Sequence, residues 1–164
     1  IGFYVGEGIN KTKRKLRKNA IIKQIIKGLS KRTFTEYTAN NIISIFGLSG
    51  DRLNYRVEDL SWERWRASMA IGFAMGKKIF CFPWLSTMVL NELILNTGIH
   101  KCIDFLKKEG CIVVLPTELE RSVDFFIDEV FLVCNSRSIP SVKAKEIIDK
   151  WNIEGEKNKL KEKT

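Results

Sequence analysis

The chain has 164 residues, 45% of them hydrophobic, which suits one domain with its own core. Its 28 basic and 19 acidic side chains give a net charge of +9, which favours an anionic partner without choosing among nucleotide, nucleic acid and lipid headgroups. No apolar stretch reaches the ~18 residues of a membrane span and no signal peptide is visible, so we expect a soluble, cytoplasmic chain. It starts at Ile1 without Met, as a piece of a longer protein would.

The first part of the chain is predicted to be one strand followed by helices. Residues 1–5 have the pattern of a strand, residues 11–28 that of a helix with isoleucines on one side, and residues 35–46 that of a second helix. The first turns of the 11–28 helix form a basic cluster, for which a solvated cationic face is the simpler reading and an anion site the alternative. The anion-binding candidates are Lys11, Lys13, Arg14, Lys15, Arg17 and Lys18.

The central run, residues 59–87, contains a helix, a buried strand and the start of another helix. Ser61 is a candidate N-cap, the helix should stop near Gly76, and residues 79–82 form a short apolar run that ends at Pro83. The next helix should start at residues 86–87. Because ligands of α/β proteins bind at the carboxyl ends of such strands, the residues after this strand are the first place to look for chemistry.

The last part of the chain alternates helices with apolar strands, which predicts a parallel sheet. The predicted helices are 89–109, 117–127 and 141–151, and the predicted strands are 111–115, expected to be buried, and 129–134. Together with the upstream helices this gives one domain over residues 1–152, made of a helical subdomain at about 11–76 and an α/β portion at about 77–152. Residues 153–164 form a Lys/Glu tail that we expect to be disordered.

Several common site chemistries are not supported by the sequence. The four cysteines form no CxxC pair and three lie in apolar runs, which favours reduced core thiols over disulfides or metal ligands. His100 is the only histidine, so neither a metal site nor a Ser/His/Asp set is expected. The run from Gly72 to Lys78 resembles a phosphate loop but is one residue short between its glycines and lies within a helix, so its glycines are interpreted as structural.

The order of the segments is more informative than any single motif. Leu60-Ser61-Trp62-Glu63-Arg64 opens a helix, an apolar strand then leads into Pro83-Trp84-Leu85-Ser86, and the runs FLKKEG, CIVVLPTE and FLVCNSR follow in order. Over residues 1–138 this order and spacing resembles the second half of an ABC transporter nucleotide-binding domain, with its LSGGQ signature, Walker B strand and switch histidine. IGFYVGEG is similar to the strand that carries the Q-loop of that family.

The residues that would carry chemistry in the family are mostly replaced. The Walker B Asp and the catalytic Glu correspond to Pro83 and Trp84, and the switch His corresponds to Glu118. A proline offers no ligand atom and an indole is no base, so the resemblance implies a chain that does not hydrolyse ATP. Of the signature, Ser61 remains, while Trp62 and Glu63 stand where glycines would let backbone N–H groups approach phosphate. The Q-loop Gln corresponds to Gly6.

The resemblance implies an α/β, P-loop NTPase-like (RecA-like) parallel sheet with an inserted helical subdomain, incomplete at its N-terminus. It also implies a degenerate ATP-binding subunit or domain that pairs with an active ATP-binding subunit and a membrane permease, in the cytoplasm at the inner face of the cell membrane. Ser61, Trp62 and Glu63 would then contact nucleotide in trans. ATP and Mg²⁺ would bind only with a partner or with a Walker A segment upstream of Ile1; no metal ligands are assigned within the chain.

A basic α/β module that binds nucleic acid is the alternative. The cluster at residues 11–18, extended by Lys23, Lys27, Lys31 and Arg32, could contact nucleic-acid phosphates. Against this reading, the cluster contains no aromatic side chain on which a base could stack. The same lysines could equally face anionic lipid beneath a permease.

Overall fold

A computed structural model describes residues 2–6, 20–117 and 127–131 of the chain. The chain divides into two compact units, Ile1–Phe126 and Ile127–Thr164. The helices and strands given below all belong to the first unit. In the second unit, residues 127–131 form neither helix nor strand, so the predicted strand at 129–134 is wrong over its first three residues. The remainder of that strand, residues 118–126 of the predicted helix 117–127, the predicted helix 141–151 and the charged tail lie outside the described residues.

The sheet of the described part has three parallel strands. They are β1 (Gly2–Tyr4), β2 (Ile79–Cys81) and β3 (Ile112–Val114), in that spatial order. Phe3 pairs with Phe80, and Phe80 pairs with Val113. Parallel neighbours require crossover connections, and the chain between the strands supplies helices, so the predicted α/β class with a parallel sheet is confirmed.

Five helices connect these strands in the described part of the chain. They are α1 (Ile21–Leu29), α2 (Ala39–Ile45), α3 (Glu63–Ala74), α4 (Thr87–Thr97) and α5 (Ile99–Lys108), with short 3-10 turns at Gly50–Arg52 and Val57–Asp59. None of them has the length and apolar character that a bilayer crossing needs. The predicted helix 11–28 is described only from residue 20 onward, and residues 11–19 lie outside the described residues.

Local capping explains where these helices begin. Thr38 caps α2 in a capping box with Asn41, so this helix starts later than predicted. Ser86 accepts the N–H of Val89 and caps α4, as predicted.

Gly98 accounts for one wrong prediction, the single helix over residues 89–109. This glycine takes a left-handed conformation (φ +63°) that ends α4 and precedes the first residue of α5. A residue with positive φ cannot continue a right-handed helix, so the chain bends there and forms two helices.

The third strand differs from prediction in its burial. Ile112 and Val114 are 61% and 43% exposed, although the apolar run was expected to be buried. Ile112 and Val114 pair with Ile79 and Cys81 and lie on the face of the sheet whose residues are exposed or half-buried, opposite the face that packs on α3.

Helix α3 is the centre of the fold, and ten of its twelve residues are buried. On its sheet side, a Cβ added to Gly72 would lie 2.7 Å from the ring of Phe80 and 2.8 Å from that of Phe3. A glycine is therefore needed for the helix to approach the sheet this closely. Close packing on the sheet therefore explains Gly72, the first glycine of the run that resembles a phosphate loop.

An aromatic cluster joins α3 to the outer helices. Phe73 contacts Tyr37, Phe46 and Phe105 with ring-centroid separations of 5.3, 6.1 and 5.1 Å. The Tyr37 hydroxyl donates to a carboxylate oxygen of Glu109 at 2.6 Å. This hydrogen bond to Glu109 raises the pKa of Tyr37 to about 12, so the phenol stays protonated and donating at neutral pH.

Candidate functional site

The carboxyl ends of the three strands lie side by side and define the candidate site. We call this surface the carboxyl edge; it comprises residues 5–6, 82–86 and 115–117. Backbone hydrogen bonds continue the sheet into it, from Phe82 N–H to Val114 O at 2.9 Å and from Leu85 N–H to Pro116 O at 3.0 Å. Leu85 and Thr117 then form a parallel bridge. In open parallel sheets this is the edge at which ligands bind.

The indole of Trp65, from the first turn of α3, is packed against the carboxyl edge. It stacks on Phe82 with ring centroids 5.8 Å apart and ring planes 12° apart. A Cβ added to Gly6 would lie 2.3 Å from the Trp65 ring. The indole is only 5% exposed, so this part of the edge is apolar core.

The hydroxyl groups near this edge are used in internal hydrogen bonds. Ser68, which is buried, accepts the N–H of Gly6 at 2.9 Å and donates to the carbonyl of Trp65 at 3.0 Å. The hydroxyl of Thr117 donates to the carbonyl of Leu85 at 2.8 Å. These hydrogen bonds connect residue 6 to α3 and residues 82–86 to residues 115–117.

Pro83 and Trp84, which the sequence resemblance matches to the Walker B Asp and the catalytic Glu, follow β2 after one intervening residue, Phe82. Pro83 is half-buried, and Trp84 is 66% exposed. Residues 5–6, 82–86 and 115–117 include no Asp or Glu, so this part of the structure supplies neither a carboxylate ligand for Mg²⁺ nor a carboxylate base. Glu118, which the sequence resemblance matches to the switch histidine, lies outside the described residues.

The start of α3 differs from its sequence prediction. The helix begins at Glu63 with Trp62 as its N-cap, and no side chain caps it, so the prediction that Ser61 is the N-cap is wrong. Trp62 has helical backbone angles (φ −62°, ψ −30°), and Ser61 takes part in this first turn through its carbonyl, which accepts the N–H of Arg64 at 3.2 Å. Ser61 and Trp62 are both exposed at this end of the helix.

Glu63, the third residue that the sequence resemblance matches to the signature, is turned into the protein. It is only 7% exposed and accepts the N–H of Ser49 at 2.6 Å and a guanidinium N–H of Arg52 at 3.0 Å. Its carboxylate holds the loop before Val57 against the start of α3, where a negative charge is also favoured by the helix dipole. Both of these hydrogen bonds to the Glu63 carboxylate are therefore intramolecular.

Replacing Glu63 with alanine is expected to destabilise the chain by about 2–3 kcal/mol, because the half-buried N–H of Ser49 and the Arg52 guanidinium lose their charged acceptor. Chemical unfolding followed by circular dichroism measures this. The matched control is Glu58→Ala, which removes the 3.4 Å pair with Arg56 near the surface and should cost less than about 1 kcal/mol. Equal losses for the two variants would contradict the structural role of Glu63.

The basic candidates differ in how far the structure describes them. Lys11, Lys13, Arg14, Lys15, Arg17 and Lys18 lie outside the described residues. Lys23, Lys27 and Lys31 are exposed along α1 and the turn after it. Arg32 is packed instead, with its guanidinium 5.7 Å from the centroid of the Phe73 ring and donating to the Phe73 carbonyl at 3.5 Å.

Burial raises the pKa of two of the described thiols. Cys102 is buried, and its burial raises the pKa of the thiol to about 11, so it is protonated at neutral pH. Burial also raises the pKa of Cys111. Among residues 2–6, 20–117 and 127–131, no three His, Cys, Asp or Glu side chains lie close enough to hold a metal ion.

Trp65 and Ser68 were not predicted to belong to this edge. A signal was available, because Trp65, Ser68 and Gly72 recur at helical spacing and so share the side of α3 that faces the sheet. Their contact with Gly6 joins residues that are about sixty positions apart, which no local pattern reveals.

No protein-family model and no curated protein sequence matches the chain. Among solved structures it is similar to a dimeric ATP-binding cassette in a post-hydrolysis state bound to ADP and Pi, at 13% identity and a TM-score of 0.48 over 76% of this chain and 54% of that one. It is similar to an ATP-binding subunit of an ABC transporter at 14% identity and a TM-score of 0.48, over 77% and 52% of the two chains. An inward-facing metal-chelate type ABC transporter follows at 13% identity and a TM-score of 0.42, over 71% and 48%. The chain spans about half the length of these structures.

Proposed function

We propose that the chain is a degenerate ATP-binding domain of the ABC transporter type, or its helical and C-terminal portion, that does not hydrolyse ATP. The observation that carries this proposal is the carboxyl edge, where Trp65 is packed on Phe82 and the catalytic positions hold Pro83 and Trp84. The order of signature-like helix, apolar strand and second parallel strand supports the family assignment.

The described part of the carboxyl edge lacks the groups with which the hydrolytic site of an ATPase binds Mg²⁺ and positions the attacking water. Phosphoryl transfer to water needs a metal held by oxygen ligands and a group that positions the attacking water. Residues 82–86 offer a proline, an exposed indole and a serine, and the hydroxyl of Ser86 caps α4. Any nucleotide bound in the assembly would need a Walker A segment from upstream or from a partner.

The proposed role is that of a non-hydrolysing partner of an active ATP-binding subunit or of a membrane permease, at the cytoplasmic face of the membrane. Ser61 is the residue best suited to contribute, since its side chain is exposed beside the positive end of α3. Trp62 is exposed next to it, whereas the carboxylate of Glu63 is engaged with Ser49 and Arg52.

The test is a complementation assay with Ser61→Ala. Each active ATP-binding subunit encoded by the source organism is co-expressed with the chain, and the ATP turnover of any stable complex is measured. Turnover is expected to fall at least tenfold in the complex that contains Ser61→Ala, because a hydrogen-bond donor to the partner-bound phosphate is lost. Ser44→Ala, another exposed serine, is the control. A proposal of pairing in trans would be rejected if no subunit forms a complex, or if turnover is the same with all three chains.

A further inference from the structure

The outward side of α1 is a cationic surface with an apolar residue in it. Lys23, Lys27 and Lys31 follow one another at intervals of four residues, which places them along one side of the helix and the turn after it. All three are exposed, and Ile26, which borders them, is 53% exposed. We call these four residues the α1 cationic face.

Packing on the opposite side holds this face outward. The buried residues of α1 are Ile21, Gln24, Ile25 and Gly28. A Cβ on Gly28 would lie 2.9 Å from the backbone carbonyl carbon of Ala74, so α1 approaches α3 at backbone distance. The face is thus presented by a helix whose orientation is set by the core.

The start of α1 is also tied down. The N–H groups of Ile21 and Ile22 donate to the carbonyls of Tyr55 and Leu53, both at 3.0 Å. These bonds satisfy two of the helix's first donors. The lysines therefore project from a fixed element.

In the segment that contains these lysines, residues 20–35, every charged side chain is positive. Residues 20–35 contain no Asp or Glu, so no acidic side chain in this segment neutralises the lysines. Lysine offers a compact, strongly hydrated charge, suited to an anionic surface rather than to one planar group. Phe34, three residues after Lys31, adds an apolar side chain that is 77% exposed.

We propose that the α1 cationic face binds an anionic lipid surface directly. The lysines would meet the headgroups, and Ile26 would enter the boundary between headgroups and acyl chains, as apolar residues do on basic interfacial helices. A nucleic acid would use the lysines but would leave Ile26 without a matching apolar surface. This inference does not depend on the proposed ATP-binding ancestry, because it uses only the charge, exposure and packing of α1.

The experiment is vesicle co-sedimentation of the full chain. The vesicles are phosphatidylcholine alone or with about one-third phosphatidylserine. Binding is expected only with phosphatidylserine. Lys23→Gln/Lys27→Gln should weaken it about 25-fold, or about fivefold per lysine. The matched control is Lys101→Gln/Lys108→Gln, which removes two exposed lysines from α5 and should change binding less than about threefold.

Ile26→Ser separates lipid from nucleic acid. It should weaken binding to the phosphatidylserine vesicles about fivefold and leave binding to a short DNA duplex unchanged. Circular dichroism of each variant verifies that the fold is retained. The proposal is overturned if the α1 and α5 double variants lose equal vesicle affinity. It is equally overturned if Ile26→Ser has no effect on vesicles, which would indicate general polyanion binding, or if the chain binds DNA but not vesicles.

Discussion

Gly6→Ala is expected to lower the free energy of unfolding by about 2–5 kcal/mol. Two independent costs contribute. Gly6 has a φ of +79°, which an alanine adopts only with strain, and its added Cβ would lie 2.3 Å from the Trp65 ring. Since Trp65 is itself stacked on Phe82, neither ring can move without opening the carboxyl edge. Chemical unfolding followed by circular dichroism measures the loss.

Two other glycines separate these costs. Gly98 has a φ of +63° but nothing within 4 Å of its added Cβ, so Gly98→Ala should show the conformational cost alone, about 1 kcal/mol. Gly50 has neither feature, and Gly50→Ala should be close to neutral. If Gly6→Ala were no worse than Gly98→Ala, the close contact with Trp65 would be refuted.

Trp65→Ala is expected to cost about 3–5 kcal/mol, because it leaves a cavity between α3 and Phe82. Trp84→Ala is the matched control: it removes the same side chain from a position that is 66% exposed, and should change stability by no more than about 0.5 kcal/mol. The same unfolding measurement serves both variants. A similar loss for the two would show that Trp65 does not fill the edge.

The double variant Gly6→Ala/Trp65→Ala gives a further check on this contact. Once the indole is gone, the alanine Cβ has room, and only the backbone strain of Gly6 remains. The combined loss should therefore be smaller than the sum of the single losses by about 1–2 kcal/mol. If the double variant loses the full sum of the two single losses in stability, the two residues are not in contact.

Much of the fold was predictable because it depends on local signals. Short apolar runs indicated strands near β1, β2 and β3, and their alternation with helices indicated the parallel sheet. The hydroxyl of Ser86 marks the predicted start of α4, and the positive φ of Gly76 marks the predicted end of α3. Two local signals led to wrong predictions. Gly98 ends a helix inside an otherwise continuous helical pattern, and Ser61 precedes the N-cap of α3 by one residue.

The site was less predictable, because it depends on contacts between residues far apart in sequence. Pro83 and Trp84 could be located just beyond the strand from its apolar pattern alone. The packing of Trp65 on Phe82, and the bond from Gly6 to Ser68, arise only when α3 lies across the sheet. Likewise, the sequence places Glu63 beside Ser61, but only the fold brings it to Ser49 and Arg52 and makes its carboxylate an internal acceptor.

The proposed absence of ATP hydrolysis is tested most directly by measuring steady-state ATP turnover by the purified chain with Mg²⁺. The expected turnover equals that of the heat-denatured chain, since the carboxyl edge is packed with Trp65 and lacks carboxylates at positions 83 and 84. Turnover clearly above that control, remaining with the chain through successive purification steps, would contradict the claim.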